Sequence, residues 1–156
     1  MVKKNKLCIF SSSGGHFVKT MALKKWWQKY ETIWVTRKDQ VTNSLLKDKY
    51  KVYQAHFPEQ RHALNFFKNL WLAFQLLKKE KPDLVFSMGA GLAVHFFFLA
   101  KLMNIPTIFM ETFIFINHPT LTGKLIYKLN LADIFLVQNK ELLETYPQAS
   151  YYGKII

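Results

Sequence analysis

Cysteine is almost missing from this chain. Cys8 is the only one in 156 residues, so no internal disulfide framework can form, and its place inside an apolar run suits a reducing compartment. Acidic residues are scarce too, ten Asp and Glu against 22 Lys and Arg, which leaves a formal charge of +12. Arginine is confined to Arg37 and Arg61. Nucleic-acid readout favours the forked guanidinium, and no RNA-binding motif is present, so no nucleic-acid partner is expected. The lysine excess fits either an anionic membrane surface or a solvated exterior.

Long apolar runs are lacking as well. The nearest, Leu84 to Ala100, has no Lys, Arg, Asp or Glu, but it is marginal in length for a membrane span and contains Ser87, Gly89, Gly91 and His95. It reads as a buried strand, a glycine turn and a buried helix. The basic start MVKKNK is followed by only four apolar residues before a run of serines, too few for a signal peptide. The chain is expected to be at most peripheral to a membrane. No GxxxxGK[ST] loop occurs, and Gly89-Ala90-Gly91 lacks the third glycine of a dinucleotide fingerprint. No GxSxG elbow supports a hydrolase built from Ser11, Ser12 or Ser13 with His16. The histidines are scattered without metal spacing, so neither a metal nor a cofactor is expected.

What is present points to a packed α/β domain. Half of the residues are hydrophobic and 16% aromatic, which excludes disorder and predicts one domain over residues 1–156. Short β-branched and aromatic runs predict strands at about Lys6–Ser11, Thr32–Thr36, Lys51–Tyr53, Leu84–Phe86, Pro106–Met110 and Ile134–Val137. Helices are predicted between them over Phe17–Lys29, Val41–Asp48, Ala63–Lys81, Leu92–Met103, Leu121–Leu129 and Lys140–Tyr146, the third being stopped by Pro82. This alternation defines a single Rossmann-like domain with a parallel sheet of about six strands and helices on both faces. Ligands of such sheets bind at the carboxyl ends of the strands. There lie Ser11–His16, Thr36–Lys38, Ser87–Gly91 and Glu111–Phe113.

The stretch SSSGGH is the centre of this pattern. A strand precedes it and a helix follows, so its N–H groups are placed to receive an anion. A tight turn would also use two glycines, but it has no need of the imidazole of His16. The helix from Ala63 carries more apolar residues than the ~100° stripe that covers a sheet. Its surplus either meets a partner protein or dips into lipid headgroups, with Phe67, Trp71 and Phe74 as the apolar contacts and Lys68 and Lys78 beside them.

Several segments together resemble a known family. SSSGGH, WVTRKD, KNLWLAFQLLKKEKPDLVFSMGAG, HFFFLAKLMNIPTIFMETF, PTLTGKLIYKLNLADIFLVQ and YPQASYYGKI are similar, in order and over nearly the whole chain, to bacterial PssD/CpsF-type polysaccharide biosynthesis proteins, relatives of the asparagine-linked-glycosylation fourteen family. The resemblance implies the amino-terminal half of a GT-B glycosyltransferase, similar to the acceptor domain of MurG. It implies a separate donor-binding subunit of the PssE/CpsG type, and transfer of a sugar from UDP to a lipid-diphosphate-linked acceptor at the cytoplasmic membrane face. This chain would be the membrane-binding, activity-enhancing subunit in capsular or exopolysaccharide synthesis. On that basis His16 is the expected base, with Glu111 orienting the acceptor, assisting His16 or acting as the base itself. Ser12, Ser13, Gly14 and Gly15 would hold the acceptor or its diphosphate, and Gly89 and Gly91 would allow close approach. Tyr151, Tyr152 and Gly153, where single-chain relatives cross into their second domain, would touch the partner, as would Gln138.

Two positions depart from the family pattern. Phe115 stands where many relatives have Arg, which leaves Glu111 without that charge partner, and Asn139 stands where relatives often have Trp. His16 could instead cap its own helix, and Glu111 could sit in a salt bridge. Two other classes remain: a self-sufficient enzyme acting on a small phosphorylated substrate, shown by activity of the chain alone, and a basic nucleic-acid-binding module, shown by binding at physiological salt.

Overall fold

The computed structural model describes residues 4–46, 49–58, 62–112 and 119–155. Asp48, Arg61, Phe113, Phe115 and Ile156 lie outside the described residues. The apolar runs form strands β1 Lys6–Phe10, β2 Glu31–Thr36, β3 Lys51–Gln54, β4 Leu84–Ser87, β5 Thr107–Met110 and β6 Ile134–Val137. A seventh strand, β7 Ser150–Tyr151, pairs with Leu136 and Val137 of β6. The sequence predicts about six strands, because two residues carry no periodicity and only pairing makes β7 a strand. All seven run parallel in the order β3-β2-β1-β4-β5-β6-β7. The direction of winding therefore reverses between β1 and β4.

The helices are α1 Gly15–Ala22, α2 Lys24–Trp27, α3 Gln40–Leu46, α4 Ala63–Glu80, α5 Leu92–Leu102, α6 Leu121–Lys128 and α7 Leu142–Thr145. The first helix, predicted to run unbroken to Lys29, breaks at Leu23. The break turns Trp27 into the core, where its indole N–H donates to the Thr20 carbonyl at 2.9 Å and its ring meets Trp34 edge-on at 5.3 Å. Lys81 closes α4 in the left-handed region at φ 48, ahead of Pro82.

Strand alternation sends side chains into two layers. Cys8, Phe10, Val35, Val85, Phe109 and Phe135 pack with α4, α5, α6 and α7 on one face. Leu7, Ile9, Trp34 and Phe86 pack with Phe17, Trp27 and Leu46 from α1, α2 and α3 on the other.

Helix α4 is built inside out. It buries Asn65, Asn69 and Glu80 along with Ala73, Leu76 and Leu77, while Phe67 is 66% exposed and Trp71 60% exposed. The buried polar groups are all satisfied. Asn69 donates to the His56 carbonyl at 2.9 Å and accepts from the His56 N–H at 2.8 Å, and Asn65 donates to the Pro58 carbonyl. Glu80 takes the Tyr53 hydroxyl at 2.5 Å and the Lys51 ammonium at 2.6 Å.

This arrangement reverses the usual ranking of substitutions. Asn69→Ala removes a buried amide and its two hydrogen bonds to the backbone of His56 and is expected to cost about 1–3 kcal/mol. Phe67→Ser, on the exposed face, is expected to stay within about 0.5 kcal/mol of the parent. Urea denaturation midpoints of the two variants check this, and equal losses would contradict the assigned orientation of α4.

Candidate functional site at the sheet switch point

The chain leaves β1 toward one face and β4 toward the other, so the two following loops splay and a crevice opens between them. Ser87, at the end of β4, ties the loops together. Its hydroxyl lies 3.0 Å from the Phe10 carbonyl and 2.7 Å from the Gly89 carbonyl, and it accepts from the Gly89 N–H at 3.2 Å. Gly89 takes φ +124, and a Cβ there would come within 2.7 Å of the His16 ring. Glycine is thus required twice over, for conformation and for space. The sequence singles out Gly89 and His16 separately, and the fold brings them together.

The two helices that open from this crevice, α1 and α5, have no side-chain cap, and their N-caps are Gly14 and Gly91. Three of the helices that start elsewhere differ, whereas the four-residue α2 and α7 also lack a side-chain cap. His62 caps α4, Thr120 caps α6, and Asp39 accepts from the Thr42 N–H at the start of α3. The first turn of α1 has no side-chain cap, and its N–H groups face the crevice, where they favour an anion; in α5 the Ala93 and Val94 N–H groups donate to the Ala90 and Gly91 carbonyls. Ser12 and Ser13 are half-buried there, and Gly14 and Gly15 are exposed.

His16 stands at the start of α1, half-buried, with Nδ1 3.2 Å from the Met88 carbonyl. A carbonyl only accepts, so Nδ1 carries the proton and Nε2 keeps its lone pair. Burial pushes the imidazole below its ordinary range; the Met88 carbonyl opposes this, and Lys19 adds to it. The ring is neutral at pH 7 and has one basic nitrogen, which is the state a general base requires.

Glu111 is placed differently. It follows β5, is 1% exposed, and accepts from the Thr112 N–H at 3.1 Å and the Tyr146 hydroxyl at 3.2 Å. Gly123 of α6 makes the room, since a Cβ there would overlap the carboxylate. Burial raises the Glu111 pKa, with Thr120, Thr112 and Tyr146 acting against it. Among the described residues no hydrogen bond joins Glu111 to His16; they sit at the ends of different strands. Tyr146 and Gly123 are invisible to motif reading, because their role exists only where α6 and α7 meet β5.

Gln138, expected at a partner contact, is 2% exposed. Its amide donates to the Glu111 carbonyl at 3.0 Å and its oxygen accepts from the Ile155 N–H at 3.4 Å. It braces β5 and the carboxyl-terminal segment from inside, so it presents no surface to a partner. Tyr151 lies beneath the Lys140 ammonium, Tyr152 is 87% exposed, and Gly153 takes φ +102.

Away from the crevice, the outer side of α4 presents Phe67, Trp71 and half-buried Phe74, the last two rings stacked at 5.7 Å. The Lys78 ammonium sits 5.8 Å over Phe74, and Lys68 is exposed nearby. Exposed apolar side chains continue over Phe98 and Leu102 of α5 and Leu121, Leu125 and Leu129 of α6. Sequence reasoning finds the α4 part only, because one helix read alone does not show which neighbours share its outer layer. No described helix is long and apolar enough to cross a membrane.

This geometry has known counterparts. The structure of Acinetobacter baumannii MurG matches with a TM-score of 0.75 at 20% identity, over 96% of this chain and 45% of that one. UDP-N-acetylglucosamine 2-epimerase from Rickettsia bellii matches with a TM-score of 0.73 at 15% identity, over 97% and 45%. These likenesses define the fold class, a Rossmann-like half of the kind that forms the amino-terminal part of MurG. In sequence, the human UDP-N-acetylglucosamine transferase subunit ALG14 is 33% identical over 94 residues, 56% of this chain and 43% of that protein. The UDP-N-acetylglucosamine–N-acetylmuramyl-(pentapeptide) pyrophosphoryl-undecaprenol N-acetylglucosamine transferase of Prochlorococcus marinus (strain MIT 9515) is 26% identical over 118 residues, 70% of this chain and 32% of that one. The chain thus spans less than half the length of these relatives. The family described as oligosaccharide biosynthesis protein Alg14 like matches residues 7–155. The chain belongs to this Alg14-like family.

The environment of His16 predicts a pH signature. Its folded pKa lies below the unfolded value of about 6.5, as does that of buried His95. The unfolded chain therefore binds protons first, and stability falls as the pH drops from about 6.5 toward the folded values. Glu111, with its pKa raised, acts in the opposite direction above its ordinary range. NMR titration should place the His16 midpoint below 6.5, and His16→Asn should flatten the decline in stability. A midpoint at or above 6.5 contradicts this environment.

Proposed function

We propose that this chain is the membrane-docked, acceptor-side subunit of a two-component glycosyltransferase. The complex transfers a sugar from a UDP donor to a lipid-diphosphate-linked acceptor in capsular or exopolysaccharide biosynthesis, at the cytoplasmic face of the membrane. The observation that carries this reading is the unprotonated Nε2 of His16, set between two uncapped helix N-termini on a fold that matches one half of MurG. The N–H groups near Ser12, Ser13, Gly14 and Gly15 hold the acceptor's diphosphate, and Gly89 and Gly91 allow its close approach. Nε2 takes the proton of the attacking hydroxyl, the oxygen bonds to the anomeric carbon with inversion, and UDP departs with the electron pair of the broken bond. Glu111, enclosed beneath α6, is a positioning residue that fixes the end of β5 against Gly123 of α6 and Tyr146.

The donor site belongs to a second polypeptide of the PssE/CpsG type. The human relative is itself named as a subunit. The sheet supports the same reading. On the face covered by α1–α3, Ile134 of β6 is 47% exposed and Ile108, Met110 and Leu136 are half-buried, with Ile108, Met110 and Ile155 at the edge of the buried cluster. That apolar face and exposed Tyr152 form the surface offered to the partner.

His16→Ala is expected to lower turnover of the assembled transferase by ~10²–10⁴-fold while leaving the fold intact. Transfer in a lipid-acceptor assay should appear or rise strongly when the two subunits are mixed. Full activity of His16→Ala, or equal activity of this chain alone, would remove the proposal.

Membrane docking is tested separately. Replacing Phe67, Trp71 and Phe74 with Ser should release the chain from anionic liposomes, with circular dichroism unchanged. Unaltered sedimentation would assign that face to a protein contact.

A further inference from the structure

A second concavity lies at the carboxyl ends of β2 and β3, beside the crevice. It encloses about 350 Å³, and its lining includes Thr36, Arg37, Lys38, Asn43, Tyr50 and Gln54. Both charges in the lining are positive. Among the described residues, neither Arg37 nor Lys38 takes part in a salt bridge. Asp39, the acid next to them in sequence, is directed elsewhere: its carboxylate accepts from the Thr42 N–H at 2.8 Å and from the Ser13 hydroxyl. The Arg37 guanidinium stands over the Phe57 ring at 5.8 Å, which holds it at the rim. Thr36 is buried, and its hydroxyl has no hydrogen-bond partner. A buried hydroxyl without a partner is costly, and this one belongs to a residue that lines the cavity.

Two cations, two amides and a phenol around a space of this size suit one sugar ring bearing an acid. We propose that this cavity binds a monosaccharide carrying one phosphate or carboxylate group. Through Ser13, Asp39 and Thr42 the cavity is tied to the SSSGGH loop, so its occupant lies next to the crevice. The anionic sugar is either part of the glycosyl acceptor or a free sugar phosphate.

Isothermal titration of the full chain with D-glucose 1-phosphate, D-glucuronate, D-glucose and inorganic phosphate tests the assignment without reference to sugar transfer. The two acidic sugars should saturate one site, and D-glucose and inorganic phosphate should each bind at least about 10-fold more weakly. Arg37→Gln and Lys38→Gln, both at exposed positions, should each weaken binding by about 10-fold or more. The proposal is overturned if no saturation occurs, if D-glucose binds equally well, if the charge variants leave affinity unchanged, or if His16→Ala alone abolishes binding. A second arm rests on the transferase reading. In the assembled complex, D-glucose 1-phosphate that raises the acceptor KM at constant kcat assigns the cavity to the acceptor. An unchanged KM alongside retained binding assigns it to a free sugar phosphate.

Discussion

The hydroxyl of Ser87 is the contact on which the crevice depends. It bridges the end of β1 and the turn after β4, fixing both loops relative to each other at the point where the sheet reverses its winding. With that turn held, Gly89 can adopt its positive φ and leave space for the His16 ring, and the Met88 carbonyl can select the tautomer of His16. One short side chain thereby decides which nitrogen of an imidazole on a different element is basic. It also aims two uncapped helices, α1 and α5, from opposite faces of the sheet into one space.

A second constraint concerns where the apolar residues go. The sheet and its inner layers already bury a large core, so α4 is free to direct amides and a carboxylate inward and aromatic rings outward. That arrangement is stable only because Asn65, Asn69 and Glu80 each find partners on β3 or the loop after it. The outward rings, joined by apolar side chains of α5 and α6, make a layer that suits an interface better than water. The crevice and this layer belong to the same domain, the arrangement that the proposed transfer to a lipid-anchored acceptor requires.

Much of the fold was legible in the residues. Apolar runs such as Leu7-Cys8-Ile9-Phe10 and Thr32-Ile33-Trp34-Val35-Thr36 are local signals, and alternation with helical spacing requires a parallel sheet. The break at Leu23 and strand β7 were not legible, because Trp27 turns inward to meet Thr20 and Trp34, and Ser150 and Tyr151 become a strand only by pairing with β6. In the candidate site, Ser12 to His16 and Gly89 and Gly91 were readable from composition at strand ends. Ser87, Gly123 and Tyr146 were not, since their roles are contacts between segments far apart in the chain. Gln138, which the family resemblance offers as a partner contact, is instead held inside by the Glu111 carbonyl and the Ile155 N–H, two contacts from distant segments.

The sequence by itself determined the periodicity of strands and helices, the glycine loops at strand ends, the positive charge and the surplus of apolar residues on α4. These are properties of neighbours along the chain, set by backbone geometry and side-chain chemistry within a few residues. Only the tertiary structure decided that His16 packs on Gly89, that Glu111 is enclosed beneath α6, that α4 faces its rings outward, and that Arg37 and Lys38 line a cavity. Each of these follows from where two distant segments meet, and the close packing of the interior admits one such arrangement.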